Sequence, residues 1–211
     1  MKVGIAISNF LQDQFVKRLV LQIVKENWPI EDIIVVDSLG SGSLSDLGVR
    51  YFNFSENLGS AGNLYQRLNI ASEIGWDYVL ALNHDALFSL HAFTSLLEHT
   101  HIENLGALYS LKYYPMKKLY DLTGSRRVGP WRAFGSDSPP QQALIQQLWG
   151  SSNGALYSLH PVRNGITPNP NLWMGWEDYL YGLDLNSAGY KQYVVSTAKV
   201  VDSYEYEPRT M

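Results

Sequence analysis

The residues with the most chemistry in them fall in four short stretches: Asn9, Asp37, Asn83-His84-Asp85 and Glu177-Asp178. The first three each follow an apolar run, Val3 to Ile7, Ile33 to Val36 and Tyr78 to Leu82. A carboxylate such as Asp37 at a strand end can accept hydrogen bonds from a base or ribose, or can satisfy nearby backbone N–H groups in a turn. Asp85 offers the oxygen ligand that hard cations such as Mg2+ or Mn2+ prefer, and one carboxylate needs further oxygens from a diphosphate and water. Asn83 can hold a ribose or a metal-bound water, while alternation along the chain turns His84 the other way. Glu177-Asp178 sits between Trp173-Met174-Gly175-Trp176 and a helical stretch. One of these acids can serve as general base on a hydroxyl, with Trp173 and Trp176 offering apolar faces to a sugar ring. Acids also suit a helix N-terminus for purely electrostatic reasons, with the tryptophans then in the core.

Other polar stretches carry weaker signals. Asn57-Leu58-Gly59-Ser60-Ala61-Gly62-Asn63 lacks the GK[ST] ending of a Walker motif and the spacing of a GxGxxG fingerprint. Its small residues still let a phosphate or sugar approach a helix N-terminus, or simply permit a tight helix entry. Arg126, Arg127 and Arg132, with Trp131 among them, form the clearest basic cluster. They can pair with a diphosphate or an anionic acceptor, or line a solvated hairpin. His91, His99, His101 and His160 lack a metal spacing, and no serine has a nucleophile-elbow context.

The elements that must position these groups follow from hydropathy. Apolar residues at helical spacing predict a helix over Phe10 to Lys25. Ile33 to Val36 reads as a parallel strand covered on both faces. Val49 to Phe52 reads as another strand, and the stretch after Asn57 as a helix to Ile74 closed by Gly75 in a left-handed cap. Phe88 to His99 reads as a helix and Leu105 to Leu111 as a strand. Lys112 to Pro140 is expected to be a hairpin or loop, Gln141 to Leu148 a short helix and Ser152 to Ser158 a strand. Gly165 to Leu172 is expected to be a loop, Glu177 to Asn186 a helix, Tyr193 to Val195 a strand and the remainder an irregular tail. This rhythm predicts an α/β domain with a mainly parallel central sheet and helices on both faces. Ligands of such sheets bind beyond the carboxyl ends of the strands. Asn9, Asp37 and Asn83 to Asp85 should therefore converge at one rim.

Composition sets the outer limits. The chain has 211 residues, 45% of them apolar, which suits one domain with a substantial core. Lys+Arg is 16 against Asp+Glu 20, a formal charge of −4, which disfavours a nucleic-acid partner. Cysteine is absent, which excludes disulfides, thiol catalysis and cysteine-ligated metals. No apolar run is long enough for a transmembrane segment, and the expected location is cytoplasmic.

Taken in order, VGIAISNF, IIVVDS, NLGSAGN, GWDYVLALNHDA, GSSNGALYSL and GWEDYLYGLDLNSAGYKQY resemble a family 2 glycosyltransferase of the glycosyltransferase-A fold, rhamnosyltransferase-like branch. The resemblance implies a single Rossmann-like domain over 1–211. Residues 1–100 would be the nucleotide-sugar-binding half and 101–211 a less regular acceptor-binding and catalytic half. It implies that Asn9, Asp37, Asn57, Gly59, Gly62, Asn83 and Asp85 lie at the nucleotide-sugar donor. Asp85 would be nearest a Mg2+ or Mn2+ ion and the diphosphate. It implies Asp178 as general base, with Glu177 positioning the acceptor or local backbone, and Trp173 and Trp176 at a carbohydrate or glycan acceptor. The turn after Asp37 departs from the family's VDNxS wording at Ser38 and Gly40, Asn63 stands where the family often has glycine, and no histidine follows His160. The implied reaction is inverting transfer of a sugar, such as the deoxyhexose rhamnose, from a nucleoside diphosphate sugar to an acceptor hydroxyl. A metal-dependent nucleotidyltransferase and a noncatalytic carbohydrate- or protein-binding domain are the alternatives.

Overall fold

A computed structural model describes residues 1–40, 42–121 and 135–202. The chain opens with β1 (Val3–Asn9), α1 (Asp13–Lys25), β2 (Ile33–Ser38), β3 (Arg50–Phe54), α2 (Gly59–Ile74) and β4 (Tyr78–Leu82). It continues with β5 (Ala86–Leu87), α3 (Leu90–Leu97), β6 (Leu105–Tyr114), β7 (Leu119–Asp121), β8 (Gly135–Ser136), β9 (Leu144–Gln146) and β10 (Ala155–Ser158). Three elements close the described chain: α4 (His160–Arg163), α5 (Glu177–Ser187) and β11 (Lys191–Asp202).

All strands join one sheet, with the path β3-β2-β1-β4-β10-β6-β11-β5. The first four strands on that path are parallel. β10 then runs antiparallel to both β4 and β6, and β6 is parallel to β11. The sheet is mixed, with its parallel half built by the β-α-β rhythm of the first eighty residues.

Each central strand feeds two cores. Ile5, Ile7, Ile33, Val35, Leu80 and Leu82 face Val16, Leu19, Val20 and Ile23 of α1 and Phe93 and Leu96 of α3. Ala6, Ile34, Val36, Val79 and Ala81 face Leu64, Leu68 and Ala71 of α2 and Tyr181 and Leu185 of α5. Alternate residues serve opposite faces, which is why Ile33 to Val36 reads as an unbroken apolar run. Gly75 takes φ +88 at the end of α2, the left-handed cap expected of it.

Two elements differ from the sequence expectation. Residues 141–148 hold no helix: Leu144–Gln146 is a strand antiparallel to β11. Its neighbours Leu144 and Ile145 pack into opposite cores, a period of two that β11 enforces and local spacing did not announce. The last strand is also far longer than Tyr193 to Val195. A register shift between Val195 and Lys199 lets it bulge and continue along β6 to Asp202. β6 and β7 form the expected hairpin through Pro115–Lys117. Arg126, Arg127, Trp131 and Arg132 lie outside the described residues. Among the described residues no helix is long and apolar enough to cross a membrane.

Close packing of Trp76 against β1 leaves no room for a side chain at Gly4, where an added Cβ would overlap the indole ring. Gly4→Ala is expected to destabilise the fold by about 1–3 kcal/mol, the usual cost of overpacking. Urea unfolding checks this, and an unchanged midpoint would refute the packing.

Candidate functional site

The carboxyl ends of β1, β2 and β4 form one rim, as the parallel topology requires. Asn9 and Asp37 are register partners across β1 and β2. Asn9 Nδ2 donates to Asp37 Oδ1 at 2.9 Å, and Tyr51 Oη donates to Asp37 Oδ2 at 2.6 Å. Asp37 is fully buried, and burial of the Tyr51 phenol, helped by its bond to Asp37, pushes that phenol well above its ordinary pKa. Gly40 passes so close over the Asp37 carboxylate that no Cβ would fit there. Asp37 thus anchors the turn after β2 from within and does not line the cleft beside it, whereas Asn9 does.

That cleft, of about 480 Å3, is bounded on one side by Ser8, Asn9 and Ser38 at the rim and by Asn83 and His84 after β4. Asn83 is fixed by its backbone N–H donating to Asn153 Oδ1 at 2.9 Å. His84, expected to turn away, lines the cleft with its ring edge-on to Phe15 at 6.1 Å. The strand ends at Leu82, so residues 83–85 form a turn and strand alternation no longer applies. Asp85 stands on this turn, half-buried and outside the lining.

α2 supplies the floor. Its first turn is not open to an anion. Asn57 Oδ1 accepts from Gly59 N–H at 3.0 Å, Ala61 N–H donates to the Trp173 carbonyl at 3.0 Å, and Ser60 N–H meets Met174 Sδ at 3.3 Å. Gly59, at φ +65, lies so near the Trp173 carbonyl that an added Cβ would overlap it. Gly62 is buried behind this turn, against Leu58. One turn further in, Asn63 Nδ2 donates to the Val36 carbonyl at 3.0 Å. Arg67, 2% exposed, donates from Nη1 to the Leu82 carbonyl at 3.1 Å and reaches the Ala6 carbonyl at 3.5 Å. Burial lowers its pKa to about 10, against the opposing pull of Tyr157, Asp178 and Glu177.

The opposite wall comes from the loop 173–176 and the start of α5. Trp173, Trp176 and Gly175 all take positive φ, which throws Glu177 and Asp178 inward at the helix N-terminus. Glu177 is buried; Asp178 reaches solvent in part, with its Oδ1 enclosed. Desolvation raises the Asp178 carboxyl to about pKa 6, helped by the charge of Glu177 and opposed by hydrogen bonds from Ser152 and by Arg67. Trp173 lines the cleft and is exposed. Trp176 is also exposed, but it lies outside the lining and packs edge-on against Tyr179 at 5.9 Å. Neither tryptophan is in the core.

The structure thus brings Asn9, Asn57, Gly59, Asn83, Trp173, Glu177 and Asp178 into one cleft. It leaves Asp37, Gly62, Asp85 and Trp176 outside the lining. Sequence reasoning missed Asn63, Arg67 and Ser152. A signal for Arg67 was present: it shares the inward face of α2 with Leu64, Leu68 and Ala71, and a charge on an apolar face is seldom idle. Ser152 carried no such mark, because only the turn into β10 delivers it.

The donor set does not by itself fit a Mg2+ or Mn2+ site. Asp85 is a single carboxylate outside the lining, and no group of three or more His, Asp or Glu that could hold a metal occurs among the described residues.

No family model matches the chain, and no curated protein matches it in sequence. Solved structures do. The mannosyltransferase PcManGT from Pyrobaculum calidifontis, in complex with GDP-Man and Mn2+, superposes with a TM-score of 0.69 at 13% identity. That match covers 98% of this chain and 58% of the other. GalNAc-T7 with UDP, GalNAc and Mn2+ gives 0.69 at 12% identity, covering 96% and 44%. S. aureus TarS 1-349 with UDP gives 0.64 at 15% identity, covering 95% and 60%. The chain has the glycosyltransferase-A fold. It spans 44% to 60% of the length of these three structures, so the likeness shows a shared domain architecture.

Because Arg67 holds the Asp178 carboxyl down, Arg67→Met is expected to raise its pKa above about 6. Carboxyl carbon shifts followed by NMR against pH measure this. An unmoved Asp178 would show that the two charges do not sense each other.

Proposed function

We propose that the domain is an inverting glycosyltransferase that moves a sugar from a nucleoside diphosphate sugar to an acceptor hydroxyl, with Asp178 as general base. The observation that carries this is Asp178 itself: an acid at the cleft, its Oδ1 enclosed and without a protein partner, and its pKa raised to about 6. A base titrating there is ionised at neutral pH and still basic enough to draw a proton from a hydroxyl in the transition state. The glycosyltransferase-A fold supports the same reading, and the resemblance of the ordered motifs to a family 2, rhamnosyltransferase-like enzyme points to a deoxyhexose as the sugar.

In this reading residues 1–100 receive the donor and residues 101–211 the acceptor. Asn57 and Asn83 offer amides to the nucleotide and ribose along the rim, while Asn9, whose amide hydrogens go to Asp13 and Asp37, shapes the rim from within. Asp37 contributes by keeping Asn9 and the turn after β2 in place. Trp173 supplies the flat apolar face for an acceptor ring. The acceptor oxygen attacks the anomeric carbon from the face opposite the diphosphate as Asp178 takes its proton. The bond from that carbon to the diphosphate oxygen breaks, its electron pair leaves with the nucleoside diphosphate, and configuration inverts. Since the protein donors do not form a metal cage, no step is assigned to a metal ion. Glu177, beside the base, keeps its basicity up by charge repulsion.

Asp178→Asn is expected to retain donor binding by calorimetry and to lower transfer by at least about a hundredfold, the scale of a lost general base. Undiminished transfer would remove Asp178 from the role. The same change should stabilise the fold at pH 7.5 by on the order of 1–3 kcal/mol. The native pKa lies above the unfolded value, so ionising Asp178 costs stability as pH rises from about 4 to 6. Thermal and urea unfolding read this out.

The pH dependence of kcat/KM should climb through an apparent pKa near 6 and level off above it, because only the ionised carboxylate accepts the proton. A profile flat between pH 5 and pH 7 would contradict the assignment.

A further inference from the structure

Left-handed backbone is disfavoured for any residue with a side chain, least for asparagine and most for bulky residues. Among the described residues other than glycine, Asn27 and Asn104 adopt it near the amino ends of the strands. The others are Leu11, Leu39, Lys118, Trp173 and Trp176. All five belong to loops at the end of the molecule that holds the cleft. Leu11 follows β1, Leu39 follows β2, Lys118 closes the β6–β7 turn, and the tryptophans flank the cleft wall. Leu11, Leu39, Trp173 and Trp176 are 61%, 43%, 56% and 49% exposed, and Lys118 is exposed too. Phe10 and Met174, which line the cleft, are also exposed. Single exposed apolar residues need no explanation, but a group of them held outward by costly backbone around one opening marks an interaction surface.

A basic element stands at the same end. β10 runs antiparallel to both β4 and β6, so β6 points the same way as β4. Ala155 pairs with both Ala81 and Tyr109, and β4 ends at Leu82 whereas β6 runs to Tyr114. The β6–β7 hairpin therefore projects about 13 Å beyond the rim. It carries Lys112, Lys117 and Lys118 against a single acid, Asp121, which pairs with Lys112 in the ladder. Lys117 Nζ lies 5.4 Å from the Tyr114 ring centre, and Lys199 of β11 lies 5.2 Å from that of Tyr120. Met116, beside the lysines, is exposed. A chain with a formal charge of −4 thus sets an excess of cations on the element that reaches furthest past the cleft.

Apolar tips and lysines on one end select the partner. A soluble polyanion pairs with the lysines but leaves the leucines nothing to gain. A second copy or a protein partner seated on the tips would cover the polar cleft between them, where Asn57, Asn83 and Ser151 stand. A bilayer meets both demands, because its headgroup zone is hydrated and anionic while apolar chains lie just beneath. We propose that this end of the molecule docks on an anionic lipid bilayer, with Leu11, Leu39 and Trp176 inserted at the interface and Lys117 and Lys118 against the lipid phosphates. The docking goes beyond the transfer reading and does not rest on it.

Sedimentation of the whole chain with vesicles tests this, using phosphatidylcholine alone or in equal parts with phosphatidylglycerol. The native chain should bind the anionic vesicles about tenfold or more tightly than the neutral ones, and added salt should weaken that binding. Leu11→Gly with Leu39→Gly removes two tips and relieves their backbone. Vesicle binding should fall by about tenfold while the urea midpoint holds or rises. Lys117→Gln with Lys118→Gln should remove most of the preference for anionic vesicles. A native chain that binds neither vesicle overturns the docking, and so does binding that the leucine pair does not alter. Equally tight binding to soluble dextran sulfate, indifferent to the leucines, replaces the bilayer with a soluble polyanion. A dimer in analytical ultracentrifugation that the leucine pair dissociates, with no vesicle binding, replaces it with a second copy. No sugar transfer is read in these measurements, so their failure leaves the transfer reading standing.

Discussion

The grip of α2 on three neighbouring strands is the interaction on which the rest of the site depends. A buried carbonyl needs its donors, and side chains of α2 reach three of them on the sheet beneath. Asn63 serves Val36 of β2, and Arg67 serves Leu82 of β4 and approaches Ala6 of β1. This fastens a permanent cation under the cleft. With that charge in place, Glu177 and Asp178 can stand in a largely desolvated wall, where two adjacent acids alone would be costly. The raised carboxyl of Asp178 is the balance of burial and Glu177 against Ser152 and Arg67.

A second constraint is the docking of the loop 173–176 on the first turn of α2. The Trp173 carbonyl and Met174 sulfur take up N–H groups that a phosphate would otherwise use. The small residues Gly59 and Ser60 therefore serve contact between two segments of the chain, and Gly59 fits because glycine alone tolerates both its φ and the adjoining carbonyl. The same docking turns the helix start of α5 toward the floor. The cleft is thus built from two distant segments that hold each other.

Much of this was legible in the chain. The apolar runs ending at Asn9, Asp37 and Asn83 gave strand, direction and rim together, since a parallel sheet admits few alternatives. Gly75 marked the end of α2. Legibility failed where non-local pairing decided the outcome. Residues 144–146 became a strand because β11 lay beside them, and β11 itself ran on past Val195 because a bulge restored its pairing with β6. Asp37 was readable as a strand-end acid, but its inward engagement with Asn9 and Tyr51 was not, since Tyr51 comes from the next strand.

Local sequence determined which residue types stand at the strand ends and helix starts, because hydropathy period and turn chemistry act over a few residues. It determined that an arginine lies on the inward face of α2 and that two acids open α5. Tertiary structure alone decided that these meet. Residues 67 and 178 face one cleft only because the sheet brings their helices to the same face and edge, and the desolvation that shifts Asp178 exists only once both walls are closed.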